Sequence, residues 1–300
     1  MSSSENFVAE FLDKAWTEHA DDPSGVADRL NSVIPLLRDD GQLADLARLA
    51  QHVFGEHLGR WSEGVAFLDA LRRHSVLRPG ESAELLIQRL RASLALAAGD
   101  PISCKSLEPS DAICATAMAA ASLAERDSER AGRLFFSALN DASSGDFGQA
   151  HSVWRVLAVV GNNIACAMEQ IAQRSEAQRE LMLAAATAGR TYWEKAGTWL
   201  EVERAEYRLA MSWLAAGDPS RAQVHAQKCI TIVESHGGSA LERFFGFEAL
   251  THANMAAANA TAAKESLVLM ERELDAISEP SDRLWAVGAL EALKGKADTQ

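Results

Sequence analysis

The chain has 300 residues, of which 42 are acidic and 29 are basic, so its formal net charge is −13. Hydrophobic residues make up 48% of the chain and aromatic residues only 6%, which excludes wholesale disorder and favours helices rich in alanine and leucine. The acidic charge argues against nucleic acids and anionic membrane surfaces as partners, because both attract basic proteins.

The first 110 residues predict helices of uneven spacing. Apolar residues recur at three- and four-residue intervals over five segments: 7–19, 26–37, 43–57, 61–74 and 81–98. The first two segments are suited to an N-terminal cap. After residue 98 the pattern is interrupted by Ser106, Pro109 and Ser110, so we expect an irregular connection there. We therefore predict an irregular N-terminal helical region with degenerate repeats over residues 1–110.

Residues 111–277 predict helices that come in pairs. A spacing of 12 residues separates four pairs of small residues: Ala119 and Ala131, Ala165 and Ala177, Ala210 and Ala222, and Thr251 and Ala263. Small residues let two helix backbones approach closely where they cross, so each pair indicates two antiparallel helices joined by a short turn. Gly217-Asp218-Pro219 is typical of such a turn, because it offers a left-handed helix end, an N-cap and a first-turn proline.

This arrangement resembles the tetratricopeptide repeat family, whose unit is a helix–turn–helix of 34 residues. The Gly217-Asp218 turn and the Ile164-Ala165 and Leu209-Ala210 pairs carry the resemblance. The second-helix small residues at 131, 177, 222 and 263 are 46, 45 and 41 residues apart, so the repeats are longer than the consensus. HEAT and armadillo repeats have steps near this length and remain the alternative fold.

The resemblance implies an all-α fold: a right-handed α-α superhelix, or solenoid, of antiparallel helix pairs with longer-than-consensus repeats. The tetratricopeptide-like array would occupy residues 111–277. A C-terminal capping helix and tail would occupy residues 278–300, since the ends of such arrays need a cover for their apolar faces.

The resemblance also implies a binding surface, because the first helices of tetratricopeptide arrays line a concave groove that binds peptides. Three successive first helices would supply its side chains: Asn162, Asn163, Cys166 and Glu169; Arg204, Tyr207, Arg208 and Met211; and Glu248 and His252. Asparagine bonds to peptide backbones and arginine clamps carboxylates. The competing interpretation of Arg204 and Arg208 is a solvated helix face on which each arginine pairs with a nearby acid.

We find no nucleotide-binding, zinc-protease or nucleophile-elbow motif in the sequence, so we expect no catalysis and no cofactor. His52 and His57 are five residues apart, which on an α-helix places them off one face, so we expect no metal site. The four cysteines form no CxxC pair and indicate reduced thiols in a cytoplasmic protein. The first residues lack a secretory signal, and no apolar run is long enough to span a membrane.

Together these patterns predict a non-catalytic, cytoplasmic scaffold or adaptor that binds a protein or peptide in the concave groove. The alternative is a regulatory or sensor module that binds a small ligand or a signalling peptide in the same groove. A homo-oligomer is compatible with either function, because an exposed end repeat can pair with its copy.

Overall fold

The computed structural model describes residues 3–148 and 151–297, and every regular element within these ranges is a helix. The prediction of an all-α fold is therefore confirmed for the described residues. The chain divides into two compact units, Met1–Gly148 and Gln149–Gln300. This division differs from the predicted boundary at residue 110, because residue 110 lies within the helix Pro109–Leu123, which packs with the helix Ser82–Ala98 before it.

Unit 1 contains seven α-helices in its described residues: α1 (Ser3–Glu18), α2 (Pro23–Val33), α3 (Asp40–His52), α4 (Trp61–Leu71), α5 (Ser82–Ala98), α6 (Pro109–Leu123) and α7 (Ser128–Ser144). The irregular connection predicted after residue 98 is present as a series of turns up to Glu108. Pro109 does not interrupt a helix as the sequence suggested, because it begins α6, where its missing N–H has no intrahelical partner to lose.

Unit 2 contains seven α-helices in its described residues: α8 (Ser152–Glu169), α9 (Glu176–Ala196), α10 (Trp199–Ala215), α11 (Pro219–His236), α12 (Ala240–Ala256), α13 (Ala260–Ala276) and α14 (Pro280–Ala297). Consecutive helices pack as α8 with α9, α10 with α11, and α12 with α13, which are the predicted pairs. The first helices of these three pairs, α8, α10 and α12, also pack side by side, with α10 in contact with both of the others.

The turn between α10 and α11 has the predicted chemistry. Gly217 adopts a positive φ of 80°, and the N–H of Asp218 donates to the carbonyl of Trp213 at 2.9 Å. The Asp218 side chain then accepts from the N–H of Arg221, and Pro219 occupies the first turn of α11. The residue types in the turn therefore end one helix and start the next through local hydrogen bonds alone.

The close helix crossings follow the predicted small residues in part. Ala210 and Ala222 are both fully buried between α10 and α11. Ala177 is exposed, so the expected pairing with Ala165 is wrong. The connection between α8 and α9 spans residues 170–175 and is longer than the other two turns of unit 2, so the crossing moves along α9.

Gly161 makes that crossing instead. A Cβ atom on Gly161 would lie 2.6 Å from the carbonyl oxygen of Ala185 and 2.8 Å from the amide nitrogen of Gly189. These are backbone atoms that cannot rotate away, so α8 and α9 can approach this closely only without a side chain at residue 161.

A π-helical segment, Val53–His57, continues α3 in unit 1. Its carbonyls at Glu56 and His57 accept hydrogen bonds from Arg126, at 2.8 and 2.6 Å. A π-helix brings residues five apart onto one face, whereas an α-helix does so for residues three or four apart. The sequence-based statement that His52 and His57 lie off one face is therefore wrong, because it assumed α-helical spacing throughout.

Substitution of Gly161 by alanine should lower the free energy of unfolding by about 1–3 kcal/mol, because overpacking outweighs the gain in helix propensity. The matched control is Gly288→Ala on α14, where an added Cβ meets no atom within 4 Å. That control should be neutral or stabilising by up to about 1 kcal/mol. Denaturant unfolding followed by circular dichroism measures both, and equal effects of the two substitutions would contradict the close crossing.

Candidate functional site

The predicted groove residues of α8 and α10 form one polar network in unit 2. The Arg208 guanidinium forms an ion pair with the Glu169 carboxylate and lies 3.4 Å from the Asn162 side-chain oxygen. The Ser212 hydroxyl donates to the other Glu169 oxygen. Burial opposes the charge on Arg208, but Glu169 raises the pKa of Arg208 above its usual value. Arg208 is thus a helix-linking side chain, and it is 24% exposed rather than fully solvated.

A second contact joins α10 to α12. The Tyr207 hydroxyl donates to Glu248 Oε2 at 2.9 Å, and Glu248 is only 9% exposed. Burial raises the pKa of Glu248, and the hydrogen bond from Tyr207 lowers it in part. One turn further along α12, burial and Lys296 lower the pKa of His252 to about 4, so this imidazole is neutral near pH 7.

The remaining predicted residues border these contacts. Asn163, Cys166 and Met211 are half-buried, and Asn162 Nδ2 lies 3.5 Å from the Asn163 side-chain oxygen. Arg204 stands apart, because its guanidinium is 63% exposed and pairs with Glu242 at 2.9 Å. The structure therefore brings most of the predicted residues together through direct contacts and leaves Arg204 at the solvent.

Two buried glutamates of α10 were missed by the sequence analysis. Glu206 is 1% exposed and accepts from Arg190 at 2.8 Å and from His225 at 2.6 Å, with Lys228 at 4.0 Å. Burial raises the pKa of Glu206, but the hydrogen bonds from His225 and Arg190 together outweigh this effect, so the pKa lies below its usual value. A buried carboxylate that bonds to Arg190 of α9 and His225 of α11 fastens α9, α10 and α11 to one another.

Glu203 has no comparable set of partners. It is 2% exposed, and its Oε1 atom has no hydrogen-bond partner. Burial and the nearby charge of Glu242 raise the pKa of Glu203 to about 7, with Arg204 opposing them. Glu203 and Glu206 precede Ala210 by seven and four residues, so helical spacing from the predicted crossing residue could have placed both on the buried face.

The thiols of this protein are poor nucleophiles. All four cysteines are free, and burial raises the pKa of each of them: Cys104, Cys114, Cys166 and Cys229. A cysteine that attacks substrates needs a lowered pKa and access to solvent, so Cys166 at the candidate site has the chemistry of a packing residue.

A cluster of three histidines lies in unit 1, whereas the predicted site residues all belong to unit 2. One ring nitrogen from each of His19, His52 and His57 lies within 4.8 Å of the others. The pKa of His57 is lowered to about 4, first by burial and then by His52 and His19. The sequence analysis missed this cluster because α-helical spacing separates His52 from His57 and nothing local links either of them to His19.

No protein-family profile matches this sequence, and no curated protein matches it significantly. Among solved structures, the chain is similar to the crystal structure of BtubC (BKLC) from P. vanneervenii, with a TM-score of 0.50 and 14% sequence identity. The similarity covers 93% of this chain and 96% of that chain. It shows a shared arrangement of helices, which agrees with the all-α fold, and at this identity it carries nothing about activity or partners.

The helices were also compared with the requirements of a membrane span. Within the described residues, none combines the necessary length with sufficient apolar character.

The raised pKa of Glu203 predicts a pH-dependent stability. A carboxyl group whose pKa is higher in the folded state destabilises that state when it ionises. The stability that protonated Glu203 contributes is therefore lost as the pH rises from about 4.5 to about 7. The loss should be on the order of 3 kcal/mol. Glu203→Gln should remove this part of the pH dependence in denaturant unfolding measured across that range.

The control for this experiment is Glu234→Gln, which changes an exposed glutamate of α11. It should retain the wild-type pH dependence. An unchanged pH profile in Glu203→Gln would show that Glu203 has an ordinary pKa in the folded protein.

Proposed function

We propose that this protein is a non-catalytic scaffold or adaptor that binds a protein or peptide segment on the first-helix surface, defined as the side of α8, α10 and α12 that carries Asn163, Cys166, Arg204, Met211 and His252. The observation that supports the proposal most directly is the polar network beneath these residues. Arg208 links α10 to α8, and Tyr207 links α10 to α12, so side chains on three helices are held in one arrangement.

The network favours recognition because it lowers the cost of ordering the surface on binding. A partner then meets donors and acceptors on rigid helices, and less conformational entropy is lost than on flexible loops. Asn163 contributes a polar amide that carries both a donor and an acceptor group, one of them shared with Asn162, and Met211 offers an adaptable apolar contact. Such a mixture of polar and apolar groups suits a peptide segment.

Arg204 is the residue best placed to bind a carboxylate of the partner. Its side chain is 63% exposed, whereas the side chain of its ion-pair partner Glu242 is 11% exposed. Glu242 also accepts from the Ser239 hydroxyl, so it keeps a hydrogen-bond donor when Arg204 turns to an acidic group of the partner. Arg208 was expected to play this part, but its guanidinium is committed to Glu169 and Asn162.

The proposal includes the predicted tetratricopeptide-like solenoid and a cytoplasmic setting, in which such arrays bind peptides. The sensor alternative would need a cavity for a small ligand at the same surface. Two cavities of about 470 and 500 Å³ occur in unit 1, and they are lined by other residues. We favour the peptide-binding function because the contacts of Arg208 and Tyr207 hold side chains on three helices in one arrangement.

Selection of a displayed peptide library on the purified full chain tests this function. Peptides that bind the wild-type protein should lose affinity about tenfold with Asn163→Ala combined with Met211→Ala, because a combined loss of about 1.4 kcal/mol from two contact residues corresponds to that factor. Arg208→Ala is unsuitable as a probe, since it would leave Glu169 unpaired and destabilise unit 2.

The matched control is Thr231→Ala on the second helix α11, where the side chain is exposed and bonds only to its own helix. The selected peptides should bind this variant as they bind the wild type. If the library yields no binder, or if the selected peptides bind the double variant unchanged, the first-helix surface is not the binding site.

A further inference from the structure

The three-histidine cluster has ring nitrogens at distances that suit a metal ion. His52 Nε2 and His57 Nε2 are 3.1 Å apart, and the third nitrogen, from His19, lies within 4.8 Å of both. Two ligand nitrogens of a tetrahedral zinc ion are about 3.3 Å apart, as follows from a Zn–N distance of 2.0–2.1 Å. Two of the three nitrogens are therefore already at ligand spacing, and the His19 nitrogen would have to approach them by at most about 1.5 Å.

The opposite nitrogens of two rings are occupied by acceptors. His52 Nδ1 lies 3.0 Å from Glu56 Oε1, and His19 Nδ1 lies 2.7 Å from the carbonyl oxygen of Trp16. When Nδ1–H donates to a carboxylate or carbonyl, the lone pair of Nε2 stays available for a metal ion. Metal-binding histidines are usually oriented in this way. The Glu56–His52 pair thus has the arrangement of a carboxylate–histidine–metal triad.

The segment that carries two of the ligands is fixed from outside. The Arg126 side chain donates to the carbonyls of Glu56 and His57, which closes the end of the π-helical turn. π-Helical turns occur preferentially at functional sites, and here the turn is what brings His52 and His57 to the same face. The Trp16 ring packs against His19 and His52, with centroids 5.2 and 5.6 Å away.

We propose that His19, His52 and His57 form a site for a late first-row divalent metal ion, with Zn²⁺ as the preferred ion. Three imidazoles suit zinc, copper and nickel, and three protein ligands leave a fourth position for water. The ion would join the end of α1 to the end of α3, so its first consequence is stabilisation of the N-terminal part of unit 1.

Titration of the chelator-treated full chain with Zn²⁺ in a calorimeter tests the site, and Co²⁺ serves as a spectroscopic probe of the ligand geometry. One equivalent should bind, the unfolding temperature should rise with Zn²⁺ concentration, and Co²⁺ should give the visible absorption of a four-coordinate centre. His52→Gln and His19→Gln should each weaken Zn²⁺ binding more than about 100-fold, which is the upper range for the loss of a group that only orients a ligand.

Glu56→Gln separates orientation from ligation, because it removes the carboxylate partner of His52 and keeps all three imidazoles. It should weaken Zn²⁺ binding about tenfold to 100-fold and preserve the Co²⁺ spectrum. His236→Gln is the matched control, since His236 is exposed and lies in the other unit. Circular dichroism of each variant in chelator confirms that it is folded.

The surface of an acidic protein also binds cations weakly. The decisive measurement is therefore the difference in Zn²⁺ affinity between the variants and the wild type. If His52→Gln and His19→Gln bind Zn²⁺ as tightly as the wild type and His236→Gln do, the binding belongs to the acidic surface and the site is refuted. If the wild type binds no Zn²⁺ or Co²⁺, the contact between His52 and His57 is an N–H···N hydrogen bond and the proposal is wrong.

Discussion

The close approach of helix backbones within each pair is the constraint on which the rest of unit 2 depends. Gly161 admits the backbone of α9, and Ala210 of α10 packs in one buried cluster with Ala226 of α11. At these separations the longer side chains on the flanks of a helix reach the next helix, as the contacts of Arg208 with Glu169 and of Arg190 with Glu206 show. The polar contacts of the candidate site follow from apolar packing, because they form only once the backbones are close.

Arginines recur at the ends of helices, where carbonyl groups lack intrahelical partners. Arg174 donates to the last carbonyls of α8 and to the carbonyl of Ala215 at the end of α10. In unit 1, Arg130 binds the carbonyls at the end of α5, and Arg126 binds those of the π-helical turn. Such donors satisfy groups that would otherwise need water or a glycine cap, and they fix where a helix ends relative to its neighbours. For the histidine cluster this placement matters directly, because the turn that Arg126 closes carries His57.

The candidate site could be anticipated in outline from the sequence. The rule that first helices share one surface grouped Asn162, Glu169, Tyr207, Arg208 and Glu248. In the structure Arg208 contacts Asn162 and Glu169, and Tyr207 contacts Glu248. Their partners could not be anticipated, because the contact between Arg208 and Glu169 spans 39 residues and depends on how α8 and α10 pack. The burial of Glu203 and Glu206 was accessible in principle from their spacing to Ala210, but a charged residue on a predicted helix is ordinarily assigned to the solvent.

The sequence by itself determined the helices, their pairing in unit 2 and the chemistry of turns such as Gly217-Asp218-Pro219. Those features depend on apolar spacing and on caps within a few residues of one another, so local interactions suffice. Only the tertiary structure decided where α8 crosses α9 and that His52 faces His57. Gly161 replaced the Ala165–Ala177 pair because the length of a connection shifts the helix that follows it. The histidines meet because one turn of the helix winds with π-helical rather than α-helical spacing, with Arg126 from the turn between α6 and α7 bound to its carbonyls.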